Sequence, residues 1–220
     1  AITPATRLVF IANPNNPTGT WVEAAAIVSF MARVPATALV VLDEAYFEYA
    51  VGAGCGDGLV WLARFPNLVV VRTFSKAYGL AALRVGFAAS HPEVADVLNR
   101  IRQPFNVNSI ALEGARAGLA DQDHITRSVA LVAAERPRLA RELAARGLPV
   151  LPSAGNFVLV NIGSAARAAA LNDHLLRRGV IVRPVGNYGL AGHLRITVGR
   201  TEENSRLLEG IDAWPEGGPR

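Results

Sequence analysis

The chain has 220 residues, 51% of them hydrophobic and 18% charged, the composition of a packed globular protein rather than a disordered or fibrous one. Its formal charge of +4 comes wholly from arginine, 21 residues against the single Lys76. Those arginines are scattered among acids and alanines, with no basic stripe and no interleaved aromatics, so the charge points to no nucleic-acid partner.

Residues 7–12 form a short apolar run closed by Asn-Pro, which predicts a buried strand ending in a turn. Helical spacing over 22–32 is followed by a second apolar strand at 38–42. A glycine-rich loop at 52–58 and a short helix at 59–65 lead to a third strand at 68–74 and a fourth at 84–89. Strands alternating with helices predict βαβ units and a mostly parallel sheet. The runs are apolar throughout, the pattern of strands covered on both faces. Helices are expected at 92–102, 109–119 and 121–146, with Pro137 kinking or breaking the last.

After Gly147-Leu-Pro the texture changes. Strands at 156–160, 180–183 and 193–198 and helices at 165–178 and 201–211 predict a smaller α+β domain. The last helix should open on a capping box, Thr201 with Asn204. The tail from Pro215 reads as frayed. The division is into 1–120 and 121–220, the long helix joining the two parts.

One cysteine, Cys55, excludes an internal disulfide and a cysteine-based zinc site, and fits a reducing cytoplasm. No apolar run reaches the ~18 residues of a membrane span, and no cationic, apolar leader opens the chain. The four histidines lack metal spacing.

Chemistry gathers where the strands end, the place where open α/β sheets bind ligands. Lys76 follows the third strand in Thr73-Phe-Ser-Lys-Ala-Tyr-Gly79. Arginine keeps its proton in proteins and lysine can lose it, so the one lysine is a Schiff-base candidate; the plain alternative is an exposed lysine surviving by chance. Asp43-Glu-Ala-Tyr46 follows the second strand, where an acid could hold a protonated ring nitrogen or merely cap a helix. Asn13-Pro-Asn-Asn-Pro-Thr-Gly19 follows the first, its two Asn-Pro steps forcing a non-helical backbone that holds an Asn side chain rigidly, with a plain turn as the alternative. Arg84, eight residues after Lys76, offers with Thr73 and Ser75 a guanidinium fork and two hydroxyls for a phosphate. Arg195, in Leu194-Arg-Ile-Thr-Val-Gly199, sits in so apolar a strand that it calls for an anionic partner, and Arg183 closes the strand before it. Structural salt bridges are the alternative for both.

In this order the motifs resemble the fold-type I pyridoxal-phosphate aminotransferases, and most closely the histidinol-phosphate aminotransferase branch. Gln103-Pro-Phe-Asn-Val-Asn-Ser109 and Arg183-Pro-Val-Gly-Asn-Tyr-Gly189 add to the likeness, which spans essentially the whole chain. The resemblance implies an α/β fold in which 1–120 is the later two-thirds of a cofactor-binding large domain. It implies pyridoxal 5′-phosphate as cofactor, bonded to Lys76. Asp43 would pair with the ring nitrogen, and Tyr46 and Asn16 with the ring oxygen. Ser75, Arg84 and Thr73 would hold the phosphate. Arg195 would take the substrate α-carboxylate and Arg183 a substrate phosphate.

The implied reaction is transfer of an amino group from L-histidinol phosphate to 2-oxoglutarate, by a cytoplasmic homodimer with no nucleic-acid or membrane partner. Alternatives of the same fold are an aromatic amino-acid aminotransferase and a threonine-phosphate decarboxylase. An inactive dimerisation or scaffold piece is the alternative of another class. The family's opening segment, with its stacking ring and backbone phosphate turn, does not precede the first strand here, so residues 1–220 alone are expected to be poorly active.

Overall fold

A computed structural model describes residues 1–215. The expected fraying of the tail beyond Pro215 lies outside the described residues. The chain divides into two compact units, Ala1–Pro14 with Trp21–Ser128, and Asn15–Thr20 with Val129–Arg220.

In the first unit, β1 (Leu8–Ala12), β2 (Leu39–Asp43), β3 (Leu68–Thr73) and β4 (Gly86–Ser90) form one sheet in that order. β1, β2 and β3 run parallel, with Ala12 opposite Asp43 and Asp43 opposite Val71; β4 returns antiparallel to β3. The sheet therefore brings three successive carboxyl ends to one edge, which is what the βαβ pattern predicts.

One face of this sheet is packed. Val40 and Leu42 of β2 and Leu68 and Val70 of β3 are buried against Ile27 and Met31 of α1 (Ala24–Met31). Ile27 and Met31 stand four apart and so share a helix face, and full burial stabilises such side chains by about 1.5–3 kcal/mol each. The opposite face differs from the expectation of cover on both sides, since Leu8 is 54% and Phe10 73% exposed. Alternation along a strand puts Asp43 and Thr73 on this barer side, and Glu44 and Arg72 on the α1 side. A second cluster, Phe74, Val85, Ala111 and Ala115, packs α4 (Ser109–Ala120) under the loop after β3. α3 (Pro92–Ile101) opens on His91, whose ring Nδ1 accepts the Glu93 N–H.

Two expectations shift in this unit. The 59–65 segment winds as a 3₁₀ turn over Gly58–Trp61, started by Asp57, whose carboxylate accepts the Leu59 N–H. β4 begins two residues late because Arg84 is left-handed, φ 54°, and turns the chain into the strand. A four-residue helix, α2 (Phe47–Ala50), follows the Asp-Glu-Ala-Tyr motif.

The long helix α5 (Gln122–Ala145) runs unbroken through Pro137. The proline loses one helix hydrogen bond. Buried Val132, Glu135, Leu139 and Leu143 anchor the helix on both sides of it. The second unit contains a three-stranded antiparallel sheet in the order β5 (Phe157–Asn161), β7 (His193–Thr197), β6 (Arg183–Pro184). α6 (Ala165–Arg177) is capped by Ser164, whose hydroxyl accepts the Arg167 N–H.

β6 starts only at Arg183 and is two residues long rather than the expected 180–183; Ile181, in the run before it, is 83% exposed. α7 (Thr201–Asp212) starts differently too. Glu203, not Asn204, reaches back to the Arg200 N–H, while Asn204 and Thr201 both donate to the buried Glu135 carboxylate.

Candidate active site

The carboxyl ends of β2 and β3 carry one group of polar side chains. Lys76 lies three residues past β3, half-buried, its Nζ 5.3 Å from the centre of the Tyr46 ring. Tyr46 is buried at the amino end of α2. Asp43, the last residue of β2, is exposed, and its Oδ1 accepts the Ala45 N–H. Since Tyr46 occupies the N-cap of α2, Asp43 is not the cap of that helix, and its carboxylate keeps acceptor capacity for a ligand.

Beside β4 an open recess of about 380 Å³ is lined by Thr73, Ser75, Arg84, Val85 and Phe87 among others. The three predicted phosphate residues thus meet at one place. Thr73 Oγ1 accepts the Ser75 N–H, and Arg84 Nη1 donates to the Ala81 carbonyl, using one of the five N–H groups of its guanidinium.

The second unit carries the other group. In the loop 13–19 both Asn–Pro bonds are cis, and the Asn15 N–H donates to the Thr20 carbonyl. Gly19 is left-handed, and a side chain there would meet Ser153, so this close approach of two chain segments requires glycine. Asn16 Oδ1 accepts a short hydrogen bond from Arg195 Nη1, which fixes the direction of the amide because a guanidinium only donates. The Arg195 guanidinium also lies 5.0 Å from the centre of the Phe157 ring.

Arg183 stands directly opposite Arg195 across β6 and β7, so the two side chains leave the same face of the sheet, as does His193. Buried atoms Nε of Arg195 and Nδ1 of His193 lack a hydrogen-bond partner among the described residues. Like charges set opposite one another, with a guanidinium N–H unsatisfied, suit an anionic ligand. His193 is a residue that spacing in the sequence did not single out.

Sequence reasoning also missed the groups behind the first site. Glu44 Oε2 accepts from Arg72 Nε at 2.9 Å and Nη2 at 2.7 Å, and Asp57 Oδ1 from the same Nη2 at 2.5 Å. Burial pushes the Glu44 carboxyl above its ordinary value, against the pull of Arg72 and of the Gly58 N–H. The signal was available: a charged residue closing the apolar run Leu68-Val-Val-Val-Arg72 needs a buried partner.

Taken as chemistry, an amine, a phenol, a carboxylate and a recess of hydroxyls and guanidinium make a donor set for a phosphorylated cofactor with a carbonyl and a basic ring nitrogen. The chain belongs to the aminotransferase class I and II family, whose sequence profile matches residues 1–211. Histidinol-phosphate aminotransferase 2 of Pseudomonas fluorescens is 57% identical over 211 residues, 96% of this chain and 56% of that protein. The protein of the same name from Ralstonia nicotianae is 53% identical, over 97% of this chain and 57% of its own length. The crystal structure of histidinol-phosphate aminotransferase from Sinorhizobium meliloti, in complex with pyridoxal-5′-phosphate, matches with a TM-score of 0.85 at 40% identity, over 95% of this chain and 56% of that one. The fold-type I α/β architecture is thereby established. The chain spans a little over half the length of the curated relatives it matches.

Proposed function

We propose that the complete protein is a pyridoxal-phosphate-dependent aminotransferase acting between L-histidinol phosphate and 2-oxoglutarate in histidine biosynthesis. The observation that carries the reading is the position of the chain's one lysine, at the carboxyl end of β3 with its amine against the Tyr46 ring. The identity of 53–57% to relatives named for this activity supports the choice of substrate.

The cofactor, when bound, supplies the electron sink that lets a Cα proton leave. The chain's own residues do the rest. Lys76 would hold the cofactor through its neutral amine, and the same amine would be the base that moves the proton at the substrate Cα. Asp43 holds the ring nitrogen protonated. Tyr46 would donate to the ring oxygen; Asn16, given the same role by the resemblance, keeps its NH₂ as a donor when its carbonyl oxygen is committed to Arg195. Thr73, Ser75 and Arg84 hold the cofactor phosphate.

Arg195 takes the carboxylate of glutamate. L-Histidinol phosphate has a CH₂–O–phosphate group where an amino acid has its carboxylate, so Arg195 and the facing Arg183 receive that phosphate in turn. In this reading 1–120 belongs to the cofactor domain and 121–220 to the small domain, and the protein works as a cytoplasmic homodimer. Among the described residues no helix is long and apolar enough to cross a membrane.

The test is glutamate formation from 2-oxoglutarate by the complete protein, with L-histidinol phosphate, aromatic amino acids and threonine phosphate as donors. Turnover fastest with L-histidinol phosphate is expected. Preference for an aromatic donor, or release of carbon dioxide from threonine phosphate, would replace the substrate assignment.

A further inference from the structure

Immediately behind the strand ends that carry Asp43, Tyr46 and Lys76 lies a buried ionic network outside the proposed chemistry. Glu44 is 4% exposed and Arg72 10%, and both lie on the α1 side of the sheet, opposite the side on which Asp43 and Thr73 project. The Glu44 carboxylate takes two bonds from the guanidinium through Oε2 and one from the Gly58 N–H, at 2.8 Å, through Oε1. Asp57 takes a third bond from Arg72, and the Phe47 ring covers the guanidinium at 3.5 Å. A side chain at Gly58 would meet Glu44 Oε1 at 2.7 Å, so the loop is seated against the carboxylate.

The place of the network in the ladder gives it meaning. The Glu44 N–H donating to the Val71 carbonyl is the last backbone link between β2 and β3. Beyond it β2 and β3 part: the chain after β2 runs to Tyr46, while β3 stays paired with β4 through Thr73 before the chain runs to Lys76. Glu44 adjoins Asp43, Phe47 adjoins Tyr46, and Arg72 adjoins Thr73. The guanidinium therefore ties together the two segments that must present amine, phenol and carboxylate at fixed separations. Nε and Nη2 converge on the one oxygen Oε2, and Nη2 also reaches Asp57, so the plane of the guanidinium is held as well as its distance, which a lysine could not do.

We propose that Arg72, clamped by Glu44 and Asp57, is a positioning residue that sets the placement of Lys76 relative to Asp43 and Tyr46. The inference rests on the aminotransferase reading. It touches neither cofactor nor substrate; it acts through the two segments it joins.

The test is Arg72→Lys in the complete protein, followed by three readouts: thermal midpoint, the pH midpoint of the absorbance band that pyridoxal phosphate gives when bonded to a lysine, and kcat against KM. The expected result is a folded variant with a displaced pH midpoint and kcat lowered roughly 10- to 100-fold at little change in KM, the scale of a misplaced reacting group. A variant with a lowered thermal midpoint but the wild-type band titration and kcat would overturn the role and leave Arg72 structural. If Arg72→Lys does not fold, Glu44→Gln carries the same test. It keeps size and the acceptor for Gly58 but weakens the grip on Arg72, and the same displacement supports the role while an unchanged titration overturns it. The wild-type protein separates the two ideas. No band there removes the cofactor reading and this role with it; a band in wild type that the variants leave unmoved removes the role alone.

Discussion

Arg72 and Arg195 each sit in a strand among apolar neighbours, and the two are handled in opposite ways. Arg72 is matched by two carboxylates and covered by a phenyl ring. Arg195 meets a neutral amide and a phenyl ring, with Nε left without a partner and a second arginine opposite. Arg138 and Arg146 follow the first pattern, with Glu135 for one and Glu142 and Asp212 for the other. A guanidinium whose charge is already matched holds parts of the chain together. One held only by neutral acceptors is placed but still short of charge, and that shortfall is what an anionic ligand supplies. Composition cannot make this distinction, because all these residues count alike toward the net charge of +4.

The sharpest way to break the division between scaffold and chemistry is at Lys76, which belongs to neither arginine class. Lys76→Arg keeps the charge and nearly the size but has no amine able to become a nucleophile at neutral pH. Turnover in the complete protein should fall at least about a thousandfold, with circular dichroism unchanged. Activity above that level, without added amine, would take Lys76 out of the reaction.

Arg195→Leu comes next. Removing one partner of a desolvated charge pair costs about 2–5 kcal/mol, so kcat/KM for either substrate should fall roughly a hundredfold or more while cofactor binding changes little. If Arg195 were scaffold of the Arg72 kind, the variant would lose thermal stability instead and keep its KM. Asp43→Asn should bind cofactor and lose most of its rate, since an amide cannot hold a protonated ring nitrogen. The Ala45 N–H bond survives the change, because an amide oxygen also accepts it, so a purely local structural role predicts an unchanged rate.

Strand positions and the residues at their ends were readable because each is a local pattern: a β-branched run closed by Asn-Pro, Asp-Glu or Thr-Phe-Ser-Lys. What lay beyond the sequence depends on partners far along the chain. Arg72 meets Glu44 across 28 residues and Asp57 across 15, and no spacing rule links them. The start of α7 was misread for the same reason. Thr201 and Asn204 have the look of a capping box, but both are drawn to Glu135, 66 and 69 residues away, and Glu203 takes over the cap. Val180 and Ile181 have strand propensity, yet β6 starts only at Arg183, and Ile181 stands exposed before it.

Glu135 offers the mildest test of the comparison, at a compensated pair that takes no part in the proposed chemistry. Its bonds to Arg138, with those from Asn204 and Thr201, hold its carboxyl down to about 2, from an ordinary 4.5. A depressed carboxyl contributes stability in full above its unfolded value and loses it as pH falls through the folded one. The contribution is therefore complete above about pH 5 and gone near pH 2, and is worth roughly 2 kcal/mol, given that Arg138 is partly open to solvent. Glu135→Gln keeps the volume and one acceptor but loses the charge. Urea unfolding should show the variant about 2 kcal/mol less stable at pH 7, with the gap to wild type narrowing as both are acidified toward pH 3, and kcat at neutral pH unaltered. A gap that stayed constant across that range would mean that Arg138 and Glu135 contribute packing rather than charge. A fall in kcat would mean that the two classes of arginine are not separable in this fold.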